Sequence, residues 1–217
     1  MGIVREITPP LFFRALRAVR KQVGAMLGMQ APLKPAFDSQ GMRLFDSSIK
    51  KTRGYLEYGC GGSTIHALAN SSASVISVDT SKVWVDAVVR AAGHAKGRLH
   101  IDYVDLGPVG DWGIPKGYAS RSSFRTYVEA PWKSSVAPDL VLVDGRFRVS
   151  CFLQSLLWSN PGTRILFDDY IREDYHVVEE VVKPQTMAGR MGLFTTPTDF
   201  DRDAARALLE MFLIVWK

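Results

Sequence analysis

Residues 54–80 read GYLEYGCGGSTIHALANSSASVISVDT, and the interpretation of this stretch settles the architecture of the rest of the chain. Tyr55 to Tyr58 is a short apolar run ending in Gly59, Cys60, Gly61 and Gly62, the pattern of a buried strand feeding a tight turn. Ser63 and Thr64 then open a helix to Asn70. The glycines therefore sit at a helix N-terminus, whose free N–H groups favour anionic or polar ligand atoms. Val75 to Val78 is the next strand and Asp79 closes it. A strand, a crossover helix and a parallel strand connect right-handed, which brings the glycine turn and Asp79 to one sheet edge.

The ligand chemistry follows from that placement. Glycine lets the backbone approach a bound group closely, and a carboxylate beyond the second strand can accept from both hydroxyls of a ribose. An adenosine-containing ligand is predicted. Thr64 stands where a dinucleotide fingerprint has its third glycine, so a nicotinamide- or nucleotide-sugar-binding enzyme is the alternative rather than the first reading. Glu57, two residues before the first glycine, would repel a pyrophosphate and attract an ammonium group.

At these residues the chain resembles the class I S-adenosylmethionine-dependent methyltransferases, whose first motif is acid-x-G-x-G, here EYGCG, and whose second is an acid closing the next strand, here Asp79. The G-G-S-T ending is similar to a bacterial subset of that superfamily. The resemblance implies an α/β, Rossmann-like fold: a seven-stranded, mostly parallel sheet with an antiparallel last strand and helices on both faces. It implies that Glu57, Gly59, Gly61, Gly62, Ser63 and Asp79 hold S-adenosylmethionine, and that Asp105, just after the third strand at Leu99 to Val104, lies near the adenine. For Asp105, capping the turn before Gly107 and Pro108 is an equal reading.

At 217 residues, with 47% apolar and 23% charged, the chain suits one full-cored domain with a small appendage. Two cysteines, Cys60 and Cys151, build no disulfide framework or zinc spacing, which points to a reducing cytoplasm. The net charge of +5 is scattered and lacks an aromatic–basic platform, which argues against a nucleic-acid partner. Thr8–Pro9 starts an amphipathic helix with Phe12, Leu16, Val19, Val23 and Leu27 on one face. It is too charged to span a bilayer; packing on the main domain is its first reading and peripheral membrane contact its second. Ser39 to Lys51 is a further helix. Residues 1–53 are thus read as an N-terminal helical extension and 54–217 as the main domain.

Ser81 to Ala92 is a crossover helix closed by Gly93. Residues 106–138, irregular and bearing Trp112, Tyr118, Phe124, Tyr127 and Trp132, are read as a partly helical insertion over the pocket. Asp139 to Val143 and Arg164 to Phe167 are strands, separated by a helix over Val149 to Trp158. A helix from Glu173 to Lys183 follows, then strands at Met191 to Thr195 and Met211 to Trp216, joined by a helix over Arg202 to Leu209.

The strand ends carry the remaining chemistry. Asp144 at the fourth strand's tip is the candidate general base for a substrate hydroxyl. Asp144, Asp168 and Asp169 together offer hard oxygen ligands that suit magnesium (Mg2+). VDG and FDD at these positions are similar to the metal-using catechol-type O-methyltransferases. Those enzymes carry lysine or histidine after the fourth-strand acid, whereas Arg146 and Arg148 stand here. An arginine cannot act as a base at neutral pH; it can hold a substrate carboxylate or phosphate, or balance the acids. The functional expectation is methyl transfer to an oxygen of a small, acidic molecule. A non-catalytic protein that keeps the cofactor pocket is the other alternative.

Overall fold

Alternation along the strands sets the layers of the fold. In β1 (Gly54–Tyr58), Tyr55 faces one side of the sheet, and Leu56 and Tyr58 the two positions pointing to the other. The computed structural model describes residues 33–216; the amphipathic helix expected over Pro9 to Leu27 lies outside them. β2 (Ser74–Asp79), β4 (Leu140–Val143) and β5 (Arg164–Phe167) are buried along nearly their whole length. Their continuous apolar runs suit a parallel sheet covered on both faces. β3 (Leu99–Tyr103) forms one edge and is half-exposed.

The seven strands lie in the order β3-β2-β1-β4-β5-β7-β6. β1 to β5 are mutually parallel, with Tyr58 beside Val78 on one flank and Val143 on the other. β7 (Met191–Thr195) is antiparallel to β5, and β6 (Thr186–Ala188) pairs antiparallel with β7. The mostly parallel, Rossmann-like sheet expected from the sequence is present, with one change in the assignment of its last strands. Met191 to Thr195 is β7 rather than the sixth strand, and Met211 to Trp216 is no strand: the last helix continues to Phe212. Met211 and Ile214 are exposed there. The sixth strand is the short Thr186–Ala188, turned back at Gly189, whose φ of 61° suits glycine.

Helices α1 (Ser39–Ile49), α2 (Gly62–Asn70) and α3 (Lys82–Ala92) cover one face, where Phe45, Ile49, Leu68 and Ala92 pack with Tyr55, Val75, Leu140 and Leu166. α4 (Phe124–Glu129), α5 (Arg148–Trp158) and α6 (Arg202–Phe212) cover the other, where Phe124, Phe152 and Leu209 pack with Leu56, Val141 and Phe167. Every residue of α5 from Arg148 to Leu157 is buried. Among the described residues no helix is long and apolar enough to cross a membrane.

Two further segments differ from expectation. The helix placed over Glu173 to Lys183 is a 3-10 helix over Glu173–Glu180, whose buried side chains Tyr175 and Val178 are three residues apart, the period of that tighter helix. Residues 106–138 are partly helical, but Phe124 and Tyr127 are core residues, 1% exposed, so this half is a wall of the domain and not a cover. Only Trp112 and Tyr118 of its aromatics face solvent extensively.

Candidate functional site

In this strand order the chain leaves β1 to one side for β2 and takes up β4 on the other, so the carboxyl ends of β1, β2 and β4 frame the crevice of an open α/β sheet. The turn after β1 is built tightly. Gly59 has φ of 90°, and a Cβ there would lie 3.0 Å from Gly145 Cα at the end of β4. Neither position leaves space for a side chain, so the two strand ends meet backbone to backbone.

Glu57 lies beneath the start of α2 and is fully buried. Its carboxylate accepts from Tyr55 Oη at 2.9 Å, Ser63 Oγ at 2.8 Å and Thr64 Oγ1. Thr64 Oγ1 in turn accepts the Gly61 N–H at 2.7 Å, closing the helix N-terminus. Burial pushes the Glu57 carboxyl up to about 7, against the pull of these hydroxyls. The sequence places Glu57 toward a ligand ammonium; the structure places it, with the Ser63 hydroxyl, inside the fold as the support of the glycine turn.

Asp79 reaches the same turn from β2. Its Oδ2 accepts the Cys60 N–H at 3.0 Å and its Oδ1 the Ser81 N–H at 2.8 Å. Burial raises it to about 6, with these backbone donors opposing. Each carboxylate oxygen keeps a second lone pair, so a ribose hydroxyl remains a possible donor to it. Trp84 of α3 donates its indole N–H to the Cys60 carbonyl and lies 3.2 Å from a Cβ built on Gly61. The Lys34–Pro35 backbone passes over Gly62, with the Lys34 carbonyl carbon 2.1 Å from where a Cβ would be. Asp105 is exposed and caps its own turn through the Gly107 N–H at 2.8 Å. Buried Cys60 and Cys151 are free thiols whose burial raises them well above their ordinary range.

The strand-end acids converge, and guanidinium groups meet them. Arg148, 6% exposed, donates to Gly145 O at 3.1 Å, Asp168 O at 2.6 Å, and Asp144 O and Oδ1 at 3.1 and 2.8 Å. It also pairs with Asp169 Oδ2 at 3.5 Å. Arg190, from the turn between β6 and β7, grips both oxygens of Asp168 at 3.0 Å and pairs with Asp169 Oδ1 at 3.1 Å. Burial and the neighbouring Asp144 push Asp168 up, while Arg190 opposes them.

These residues do not fit magnesium. The oxygens that would ligate it are committed to two fixed guanidinium groups, and among the described residues no set of three His, Cys, Asp or Glu is arranged for a metal. Arg148, expected at the substrate, is instead an internal counter-ion: at the first position of a buried helix, its side chain reaches the strand ends and stacks over the Tyr175 ring at 5.9 Å. Arg190 was not legible as a site residue, since its carboxylate partners lie 22 and 21 positions away and nothing in its turn marks it. Arg146 differs from both. It is half-buried, and its backbone N–H donates to Tyr127 Oη at 3.2 Å. Phe147 follows in a left-handed conformation, φ 53°, held by Phe124 and Tyr127 rings at 4.9 and 5.7 Å.

No protein-family model and no curated protein matches the chain. Among solved structures, a methyltransferase-like protein from Silicibacter pomeroyi is 32% identical, with a TM-score of 0.75, over 85% of this chain and 99% of its own. An O-methyltransferase from Bacillus cereus in complex with SAH is 18% identical, with a TM-score of 0.49, over 90% and 78% of the two chains. The sheet order, the glycine turn with its strand-end acids, and the first of these relatives define the class. The chain belongs to the class I S-adenosylmethionine-dependent methyltransferase superfamily.

Proposed function

We propose that this protein transfers a methyl group from S-adenosylmethionine to an oxygen of a small molecule. The observation that carries this reading is the Asp79 carboxylate held against the Cys60 N–H of the glycine turn at 3.0 Å, which joins the two halves of a nucleoside site at one sheet edge. Asp79 would accept from the ribose, and the turn from Gly59 to Gly62 would pass beside the rest of the cofactor. When bound, S-adenosylmethionine supplies an electrophilic methyl on a sulfonium. The protein's part is to position the acceptor in line and to remove its proton. Asp144, whose partly exposed side chain Arg148 holds at 2.8 Å, would take that proton as the new C–O bond forms and the C–S bond breaks.

Calorimetry with S-adenosylhomocysteine tests the cofactor claim. Wild type is expected to bind, and Asp79→Ala to bind at least about tenfold more weakly, the worth of one charge-assisted hydrogen bond. Absence of heat with wild type removes the reading. A second reading, a superfamily member that no longer turns over, is favoured by one observation: the Lys34–Pro35 chain lies on Gly62. Labelled cofactor presented with a hydroxyl-bearing acceptor panel separates the two. Binding without transfer to any acceptor supports the second.

A further inference from the structure

The rim of the crevice carries three arginines, and two of them are spent. Arg148 and Arg190 hold Asp144, Asp168 and Asp169, as well as main-chain carbonyls, through bidentate and multiple contacts. The guanidinium of Arg146 makes no hydrogen bond or ion pair among the described residues, although it is half-buried three residues beyond the end of β4. Burial, with the like charge of Arg148 next, lowers its affinity for its proton. Among the described residues this cation has no ion-pair partner, although the carboxylates of Asp144 and Asp79 feel its charge.

Two neighbouring features are unsatisfied in the same sense. The Tyr175 side chain is 2% exposed, its hydroxyl has no hydrogen-bond partner among the described residues, and it lies within electrostatic range of Arg146, with its ring stacked by Arg148 at 5.9 Å and Arg172 at 4.7 Å. α5, which starts just after Arg146, has no side chain capping its N-terminus. A free guanidinium, an orphan phenol and an uncapped helix start all favour one kind of ligand, an oxyanion.

We infer that Arg146 is the receptor for an oxyanion of the acceptor, so that the molecule methylated carries a carboxylate or phosphate beside its nucleophilic oxygen. This rests on the methyl-transfer reading above. It makes Arg146 a specificity-determining residue, with Asp144 on the nucleophile and Arg146 on the anionic group.

The test uses the whole wild-type chain and an arginine-selective reagent, phenylglyoxal, with the adducts mapped by peptide mass spectrometry. Arg146 is expected to react at least about tenfold faster than Arg148 or Arg190, whose N–H groups are engaged. Benzoate, and separately inorganic phosphate, should protect it, whereas neutral benzamide should not. Stronger protection by one of the two anions identifies which group the acceptor bears. Equal reactivity of the three arginines, or equal protection by benzoate and benzamide, overturns the proposal.

A second arm excludes the cofactor's own carboxylate as the anion. Arg146→Met, checked for folding by its thermal transition, should bind S-adenosylhomocysteine within about twofold of wild type. A loss of about tenfold for S-adenosylhomocysteine but not for 5′-methylthioadenosine, which lacks the amino-acid group, overturns the assignment to the acceptor. If wild type binds neither nucleoside, the methyl-transfer reading fails by itself, while the protection experiment still reads the anion site.

Discussion

At the scale of single residues, the strand-end arginines have divided labour that their spacing in the sequence conceals. Among the described residues Arg148 is the ion-pair partner of Asp144, and it is shared with Asp169. Arg148→Met is expected to cost about 1–3 kcal/mol of stability, because it leaves the partly exposed Asp144 carboxylate and buried carbonyl acceptors without their donor. Arg148→Lys should recover only part, since one ammonium cannot reach four acceptors as a planar fork does. Urea melts of the two variants against wild type check this. The acids themselves were readable from VDG and FDD, since an acid at the carboxyl end of an apolar strand has few other places to go. Their partners were not. Arg190 reaches Asp168 across 22 positions, and its backbone N–H reaches Asp38 Oδ2 at 2.8 Å across 152. No local pattern encodes such contacts.

At the scale of elements, the crevice depends on backbone packing between the ends of β1 and β4. A Cβ on Gly145 would lie 2.2 Å from Tyr127 Oη, 2.8 Å from the Tyr58 carbonyl carbon and 2.9 Å from Gly59 N. Two of these neighbours are main chain and cannot rotate away. Gly145→Ala is expected to destabilise by about 1–3 kcal/mol, the usual range for overpacking, with a measurable fall in the urea midpoint. The same glycine turn reports on occupancy. Trp84 hydrogen-bonds the Cys60 carbonyl, so S-adenosylhomocysteine is expected to change tryptophan emission in wild type and to lose that change in Trp84→Phe. The helices and strands that read clearly from the sequence, β1 to β5, β7, α1 to α3, α5 and α6, are those with a strong apolar period. The C-terminal run was misread because Met211 to Trp216 is apolar enough for a strand. Only the pairing of β7 with β5 and β6 shows that the sheet has no place for it.

At the scale of the whole molecule, buried carboxylates set the response to pH. Glu57 rises from 4.5 to about 7 and Asp79 from 3.8 to about 6, with burial the first cause of each. A carboxyl with a raised folded-state pKa binds its proton more tightly in the native state than in the unfolded chain. Its contribution is therefore complete below the unfolded pKa and is lost as pH rises through the folded value. Stability from these groups should fall between about pH 4 and pH 7, Glu57 alone accounting for roughly 3 kcal/mol at most. Glu57→Gln removes this titration. Its deficit relative to wild type is expected to be largest near pH 5 and to shrink toward pH 8, as thermal melts across that interval would register.

The sequence alone determined the α/β class, the glycine turn followed by a strand-closing acid, and the acids at the tips of β4 and β5. Each is a local matter of hydrophobic period, backbone freedom and strand termination, and each is written within a few neighbouring residues. Only the tertiary structure decided which side chains those acids meet, that Glu57 supports the turn from beneath, and that Arg148 is spent inside the fold while the Arg146 guanidinium has no partner among the described residues. Those outcomes depend on where distant segments pack, because a buried charge takes its partner from whatever the fold brings within a few ångströms.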